Sequence, residues 1–476
     1  MSQLTHHLVA RSLSLTSTLG ALASPLLLGA CLGEEVNLGE GALPEPEPPS
    51  YSRCTESRTL AGPVVVHTQI ELDELDGCHV IEGDLVVQPL FSPDLRPLHA
   101  LQSVSGRLAF FDNERELRTP EEAGESRSVS NSWLGSFEGL ESLEQVGGLI
   151  IDGSAAADLQ PLSKLRWLTE GTLSLSANSI RDLAPLHDLQ GIERLFVNGR
   201  DLESIADLEF SSTITTLEIT GNNLGDLGGV RGVRRVSESV RIEATGLRDM
   251  SQFSSLEYAG QLLVVSNPHL EMLAGLESLT TVAGELAIQG NPVLEDLAGA
   301  TGLRTAAVLA ISNNPRLVRI PDFPNLALQS LAITFNDALT EVAEFSGLTP
   351  EYYSNGMGVS SDALSERDWL FYRVDTIYVS DNLALAHFAV SPGWQSAKLV
   401  DIANNPQLTS LTLGKLEAID LLSITNNSSL SSVGIGTLAT VDSLSVLDNP
   451  VLSQTTFDGV STFERNLSGN ADSGSM

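Results

Sequence analysis

Apolar and polar residues follow a short unit that recurs along most of the chain. In a typical copy two apolar residues flank one other residue, as Leu262 and Val264 do, and an asparagine, Asn267, follows three positions later. The apolar pair predicts a short strand with both side chains on one face. One such unit cannot bury its own apolar face, so the copies are expected to stack. The asparagines recur at multiples of about 22–23 residues: Asn178, Asn222, Asn267, Asn291, Asn314, Asn336, Asn382, Asn405, Asn427 and Asn449.

The spacing predicts a mostly β solenoid of parallel strands with few helices, because the segment between two strands is too short for a full helix. The repeated asparagine is expected at the turn that leaves each strand, where its amide can bond the backbone of adjacent turns. Three looser copies begin at Leu85, Leu108 and Leu149. A degenerate copy begins at Met357 and carries Asp362 in place of the asparagine.

The first 30 residues have the features of an export signal. Residues 1–31 contain a single charged side chain, Arg11, before an apolar run that is too short to span a bilayer. The run ends in Leu-Gly-Ala-Cys at 28–31, which resembles the lipobox of bacterial lipoproteins. The resemblance implies a lipid anchor on Cys31, and Leu32 after it implies the outer membrane of a Gram-negative bacterium. The alternative is ordinary cleavage nearby, which leaves Cys31 as a free thiol.

Residues 31–53 read as a tether between this anchor and the solenoid. Four prolines alternate with glutamates between 44 and 49, and such a segment is stiff, extended and unable to fold around an apolar core. The solenoid is expected over 54–465, followed by a disordered tail at 466–476.

Two cysteines, Cys54 and Cys78, stand at the start of the predicted solenoid. In an exported chain they most simply form one disulfide. A metal site would need further ligands close by, and only His79 is adjacent.

The segment Cys-His-Val-Ile-Glu-Gly-Asp-Leu-Val-Val at 78–87 resembles the opening signature of receptor L domains, as in the ectodomains of the insulin and epidermal growth factor receptors. The Gly-Leu-Glu-Ser-Leu segments at 139–143 and 275–279 resemble the G-L-x-x-L segments of those domains. The resemblance implies a right-handed, leucine-rich-repeat-like β-solenoid, here of about 16 coils, a Cys54–Cys78 disulfide and a binding role. It leaves open whether 54–465 is one solenoid or two L domains divided near 345–375.

Charge narrows the range of partners. The 476 residues include 26 Lys and Arg against 61 Asp and Glu, giving a formal charge of −35. A nucleic-acid partner needs a basic surface, so this class of ligand is excluded. The basic cluster of Arg231, Arg234, Arg235 and Arg241 is expected to pair with acidic neighbours.

The sequence predicts no catalytic residue, no metal site and no cofactor. It lacks the serine nucleophile elbow, the zinc-binding H-E-x-x-H and the phosphate-binding loop, and its histidines are not spaced like metal ligands. We therefore expect a non-enzymatic protein. The alternatives are a carbohydrate-active enzyme resembling a polysaccharide lyase on a β-helix, and a structural or adhesion component of the surface.

Two departures from the repeat are the expected recognition elements. The first is a polar insertion at 114–133, which is either a binding loop or a disordered decoration. The second is an aromatic-rich stretch, and aromatic side chains anchor interfaces and stack on sugars. The aromatic side chains of this stretch are predicted to form an exposed patch that binds a protein or glycan at the cell envelope. The alternative is that they fill the core, as Phe388 is expected to do. The candidate ligand-binding residues are Tyr352, Tyr353, Trp369, Tyr372 and Trp394.

Overall fold

Stacked parallel strands account for most of the regular structure in the computed structural model, which describes residues 52–54, 58–88, 92–110, 133–176, 179–199, 201–221, 223–343, 345 and 375–471. The predicted signal peptide, Cys31 and nearly all of the tether lie outside these residues. Across the described residues the strands are β1 (Thr59–Ala61), β2 (Val64–Val66), β3 (Val80–Glu82), β4 (Leu85–Val87), β5 (Ser103–Phe110), β6 (Gln145–Asp152), β7 (Trp167–Ser176), β8 (Arg194–Asn198), β9 (Thr213–Thr220), β10 (Arg235–Glu243), β11 (Tyr258–Val265), β12 (Thr281–Gln289), β13 (Thr305–Ser312), β14 (Arg319–Ile320), β15 (Ala327–Thr334), β16 (Glu341–Val342), β17 (Thr376–Ser380), β18 (His387–Ala389), β19 (Ser396–Ala403), β20 (Ser410–Thr412), β21 (Ala418–Thr425), β22 (Ser432–Gly434), β23 (Thr440–Leu447) and β24 (Ser461–Asn466).

One sheet of 19 strands runs the length of the solenoid, and every pairing in it is parallel. Strands β14 and β16 form a second sheet, and β18, β20 and β22 form a third. Within the described residues the only α-helix is α1 (Gln69–Asp73), and the other helical segments are short 3₁₀ turns. The prediction of a parallel, mostly β solenoid of about 16 coils is confirmed.

The register explains why the repeat folds this way. Leu262 lies opposite Val240 on one side and Leu286 on the other, so equivalent apolar residues stack from strand to strand. All three are fully buried in one continuous core. Burial of each such side chain contributes roughly 1.5–3 kcal/mol. No coil obtains this burial alone, and the stack is therefore the unit of stability.

The repeated asparagines form a ladder beside the core. From Asn267 to Asn449 each side-chain oxygen accepts from the asparagine of the preceding coil, or from Thr245 at the start of the series. Each side-chain amide donates to a strand carbonyl of the preceding coil, as Asn291 does to Val264 O at 3.1 Å. The expected role of the asparagine is confirmed. Asn470 continues the ladder beyond Asn449, so the solenoid extends past the predicted boundary at 465.

The glycines of the two G-L-x-x-L segments allow coils to approach closely. Gly139 and Gly275 have φ values of 108° and 110°, and a side chain on either would collide with a carbonyl of the coil before it. Their N–H groups donate to the carboxylates of Glu141 and Glu277, respectively. The short connections therefore depend on glycine at these two corners.

The sheet continues directly across both departures from the repeat. β5 pairs with β6 across the first insertion, and β15 pairs with β17 across the second, with Leu331 opposite Ile377. Asn336 likewise bonds Asn382 without an intervening step. The degenerate copy predicted at Met357 lies outside the described residues and stays a prediction.

The disulfide prediction is confirmed at the N-terminal end. Cys54 and Cys78 are bonded, with their Cα atoms 5.3 Å apart. Helix α1 lies between them and begins with a capping box, in which Thr68 accepts from the N–H of Glu71 and Glu71 accepts from the N–H of Thr68. Across the part of the chain that the structure describes, no helix is long and apolar enough to cross a membrane.

The last strand closes the core with polar residues. Thr462 and Arg465 of β24 lie opposite the buried Val441 and Leu444 of β23. Arg465 pairs with Asp458 at 3.2 Å. A charged edge of this kind disfavours addition of another strand.

Candidate functional site

Residues on the sheet alternate between the core and the opposite face, which we call the outer face. In β17, Ile377 and Val379 belong to the core, so Thr376, Tyr378 and Ser380 lie on the outer face. The register places Tyr378 beside Asp401 of β19, and Asp401 beside Ser423 of β21. We define the β17–β21 face by these five outer-face residues: Thr376, Tyr378, Ser380, Asp401 and Ser423.

This face carries buried polar atoms with no hydrogen-bond partner. They are Thr376 Oγ1, Ser380 Oγ and Asp401 Oδ1, and the one other such side-chain atom among the described residues is Trp133 Nε1. A buried polar group left unpaired costs about 1–3 kcal/mol. Three such atoms on two neighbouring strands are unusual in a structure whose asparagine ladder is fully bonded, and they distinguish this face from the rest of the described chain.

Asp401 is the ionisable group of this face. Burial raises its pKa and the charge of Asp381 acts in the same direction, while a hydrogen bond with Ser423 partly opposes them. The protonated carboxyl can donate a hydrogen bond and the ionised form can accept several. Asp401 is therefore suited to bind hydroxyl or amide groups in either state.

An exposed apolar pair stands where β15 and β17 end. Phe335 and Leu383 are 50% and 52% exposed. The N–H of Phe335 donates to Ser380 O at 3.2 Å, so Phe335 lies beside the strand end that carries the unpaired Ser380 hydroxyl. Phe335 also has a positive φ of 54°, which is uncommon for a bulky residue.

The structure contradicts one member of the predicted aromatic patch. Trp394 is only 8% exposed and belongs to the core, where it lines a small internal void with Phe345 and Phe388. Trp394 stands at the position that the buried Leu416 and Leu438 occupy in the next two coils, which is a regular core position of the repeat. Trp394 is therefore not part of an exposed patch. The other four predicted residues, Tyr352, Tyr353, Trp369 and Tyr372, lie outside the described residues.

Of the first insertion, the structure describes only the last residue, Trp133. Residues 114–132 lie outside the described residues, and Trp133 is buried in the core. The role of the 114–133 insertion in binding stays a prediction.

The basic cluster is mostly paired. Arg234 bonds Glu257 at 3.1 Å, Arg241 bonds Glu243 at 2.8 Å, and the guanidinium of Arg235 lies 3.5 Å from the ring centre of Tyr258. Arg234 and Arg241 therefore pair with acidic neighbours, as predicted, whereas Arg235 contacts an aromatic ring.

A shallow crevice of about 190 Å³ opens on the turn side of the β11–β13 coils. Its charged lining mixes both signs and includes an Arg248–Glu271 pair at 2.9 Å. The described part of the chain contains no group of three His, Cys, Asp or Glu residues placed to hold a metal ion.

Sequence reasoning missed the β17–β21 face and Phe335. Asp401 is the middle residue of the triplet Val400-Asp401-Ile402, where an acidic residue is ordinarily read as solvated. Phe335 directly precedes the repeat asparagine, a position that Ser266, Asn313 or Asp381 occupies in other copies. An aromatic residue in this polar series was the available signal.

No protein-family model matches the chain, and the search of curated proteins found no match. Among solved structures, an internalin from Listeria monocytogenes is 15% identical and covers 77% of this chain and 88% of its own, with a TM-score of 0.27. The Toll–Spätzle complex of Drosophila is 12% identical over 87% of this chain, with a TM-score of 0.36. This chain spans 55% of the matched chain in that complex. At these TM-scores neither likeness supports a conclusion about function.

Proposed function

We propose that the chain is a non-enzymatic, lipid-anchored protein of the cell envelope whose repeat surface binds a protein or glycan ligand. The observation that carries this proposal is the β17–β21 face, where Thr376, Ser380 and Asp401 hold buried polar atoms without partners. Elsewhere among the described residues the solenoid has no comparable set of unpaired groups, and we therefore assign these atoms to ligand binding.

The scaffold favours binding over catalysis. The parallel sheet fixes Asp401 between Tyr378 and Ser423 on three successive strands, and such rigid placement suits recognition. Asp401 is the one carboxyl of this face, and no histidine or lysine belongs to it to complete an acid–base pair. Hydroxyl, carboxyl and phenol groups offer hydrogen bonds to a peptide backbone and to a sugar alike.

The location is proposed from the N-terminal sequence. Lipidation of Cys31 would hold the protein at the outer membrane of a Gram-negative bacterium, with residues 31–53 as the tether and a receptor-L-domain-like solenoid beyond it. The Cys54–Cys78 disulfide agrees with export, because such bonds persist in oxidising compartments.

The binding test compares Asp401→Asn with Asp420→Asn, which removes the same charge from an exposed position on the neighbouring strand. The full chain in detergent would be applied to an array of envelope glycans and used for pull-down from envelope extracts with mass spectrometry. We expect a ligand that the wild type and Asp420→Asn retain and that Asp401→Asn loses by tenfold or more. If all three proteins retained the ligand equally, the β17–β21 face would not be the binding site. Release of oligosaccharides from a polyuronate substrate would show an enzyme instead.

The anchor is tested separately by Cys31→Ala and by globomycin. Both are expected to block cleavage before Cys31, so that the precursor with its signal peptide accumulates, and metabolic labelling with a fatty acid should disappear with Cys31→Ala. Cleavage that neither treatment alters, together with no fatty-acid labelling of the wild type, would contradict lipidation.

A further inference from the structure

The residues that directly precede the ladder asparagines form a regular row along one edge of the sheet. Each has a positive φ between 50° and 68°, from Ala244 through Asp448. Glycine, asparagine and aspartate tolerate this conformation, which explains most of the row. Phe335 is its one aromatic member, and steric hindrance at its Cβ makes it an unfavourable choice there. We call Asn313, Phe335, Asp381, Asn404 and Asn426 the turn edge.

Successive residues of the turn edge lie at the ends of neighbouring strands of the sheet. The N–H of Asn313 donates to Thr334 O, that of Phe335 to Ser380 O, and that of Asp381 to Ala403 O, at 3.0–3.2 Å. Asn404 and Asn426 continue the pattern toward β21 and β23. Successive members are thus about 4.8 Å apart, the spacing of neighbouring strands. Apart from the half-buried Asp381, these side chains are exposed.

The polar members of the turn edge are free to bind. The side chains of Asn313, Asp381, Asn404 and Asn426 make no hydrogen bond to another part of the described chain, whereas each ladder asparagine one position later is fully bonded. Phe335 therefore presents an apolar ring in line with a series of unoccupied donors and acceptors.

This arrangement matches the chemistry of a sugar polymer. An aromatic ring packs against the C–H face of a pyranose, and amides and carboxylates bond its hydroxyls on either side. The surrounding charge is acidic, with Asp337 and Asp381 beside Phe335 and −35 on the whole chain, so an anionic polymer is disfavoured. A protein partner would require a broader apolar patch than Phe335 and Leu383 supply.

We infer that the turn edge binds a neutral polysaccharide, with Phe335 stacked on one sugar ring and Asp381 and Asn404 bonding the hydroxyls of its neighbours. This inference rests on the proposed binding function and specifies its ligand class. The strained backbone at Phe335 is then retained for contact with the ligand, since asparagine would fit the position better.

The test is affinity electrophoresis of the full chain in detergent through gels containing laminarin, dextran or konjac glucomannan, with alginate as the anionic comparison. We expect retardation by at least one neutral polymer and none by alginate. Phe335→Asn should weaken the retardation tenfold or more, and Phe335→Tyr should preserve it. Asn404→Gly, which keeps the backbone conformation, should weaken it severalfold, and Val451→Ser, at an exposed apolar residue outside the turn edge, should not change it.

Stability provides the readout that separates binding from a structural role. Phe335→Asn is expected to raise the thermal midpoint while it removes binding, and a residue needed for folding would lower the midpoint instead. Equal retardation of wild type and Phe335→Asn would overturn the inference, as would the absence of retardation by all three neutral polymers. In either case, a ligand whose binding still depends on Asp401 would leave the proposed function standing. If binding depended on neither Phe335 nor Asp401, both the inference and the proposed function would be contradicted.

Discussion

The side-chain oxygen of Asn427 accepts two hydrogen bonds from Asn405, one from its backbone N–H at 3.0 Å and one from its side-chain amide at 3.3 Å. Asn405 stands in the same relation to Asn382. Both are fully buried, so water cannot replace these bonds. The ladder therefore satisfies the polar backbone of the turns while the apolar pairs fill the core.

Asn405→Ala is expected to destabilise the solenoid by about 3 kcal/mol. The substitution leaves the N–H of Asn382 and the carbonyl of Val379 buried without partners, and each unpaired group costs about 1–3 kcal/mol. Urea denaturation followed by circular dichroism would give the change in free energy of unfolding. Hydrogen exchange should show the largest loss of protection in β17, β19 and β21.

Asn404→Gly is the matched control, because Asn404 is exposed and has a positive φ of 55° that glycine adopts readily. Its effect is expected to stay within about 0.5 kcal/mol. Comparable losses for the two adjacent residues would show that the ladder is not what holds the coils together.

The repeat made the fold predictable, because the pattern of every copy indicates which residues face the core and which residue bonds the next turn. Leu262, Val264 and Asn267 define a coil without reference to any distant residue. The site could not be predicted in this way. Asp401 and Ser380 belong to different coils, and their shared lack of partners follows from burial and register, which no local pattern contains.

The error over Trp394 has a different origin. An aromatic residue near an irregular copy can be exposed or can belong to the core, and we expected the first. The indole is buried at the position that Leu416 and Leu438 occupy in the next two coils. The repeat therefore contained the signal, but the irregular spacing of the preceding copies obscured it.

Reduction of the Cys54–Cys78 disulfide is expected to destabilise the N-terminal coils by about 3 kcal/mol. The bond joins residues 24 positions apart, and loss of a cross-link over such a loop increases the entropy of the open state. Because coils contact only their neighbours, the effect should be local. Hydrogen exchange with and without a reductant would test this, with the Cys54→Ser/Cys78→Ser variant as confirmation. Faster exchange in β1–β4 with no change in β19–β23 is expected, and uniform acceleration would contradict a local cap.

Asp84→Asn is expected to cost about 1 kcal/mol at neutral pH. Burial acts to raise the pKa of Asp84, but the hydrogen bonds and charge of Arg107, whose guanidinium lies 2.8 Å away, together hold it below its usual value. A lowered pKa stabilises the folded state above the usual pKa near 3.9, and this contribution is lost as pH falls through the lowered value. Denaturation between pH 2 and 7 should therefore show a smaller acid-induced loss in Asp84→Asn than in wild type. Asp207→Asn, at an exposed residue, should behave like wild type.

Asp401→Asn is expected to change stability in the opposite direction. Burial raises the pKa of Asp401, so its ionisation costs free energy in the folded state as pH rises from the usual value near 3.9 through the raised one. Below that range the carboxyl is neutral in both states and the penalty disappears. Replacement by the neutral amide should therefore stabilise the protein by about 1 kcal/mol at pH 7 and by almost nothing at pH 3. Denaturation midpoints measured across this range, with Asp420→Asn as the control at an exposed residue, would test the sign. A loss of stability at pH 7 would mean that the carboxylate is a structural contact, whereas a gain together with lost ligand binding would identify Asp401 as a residue kept for function at the expense of the fold.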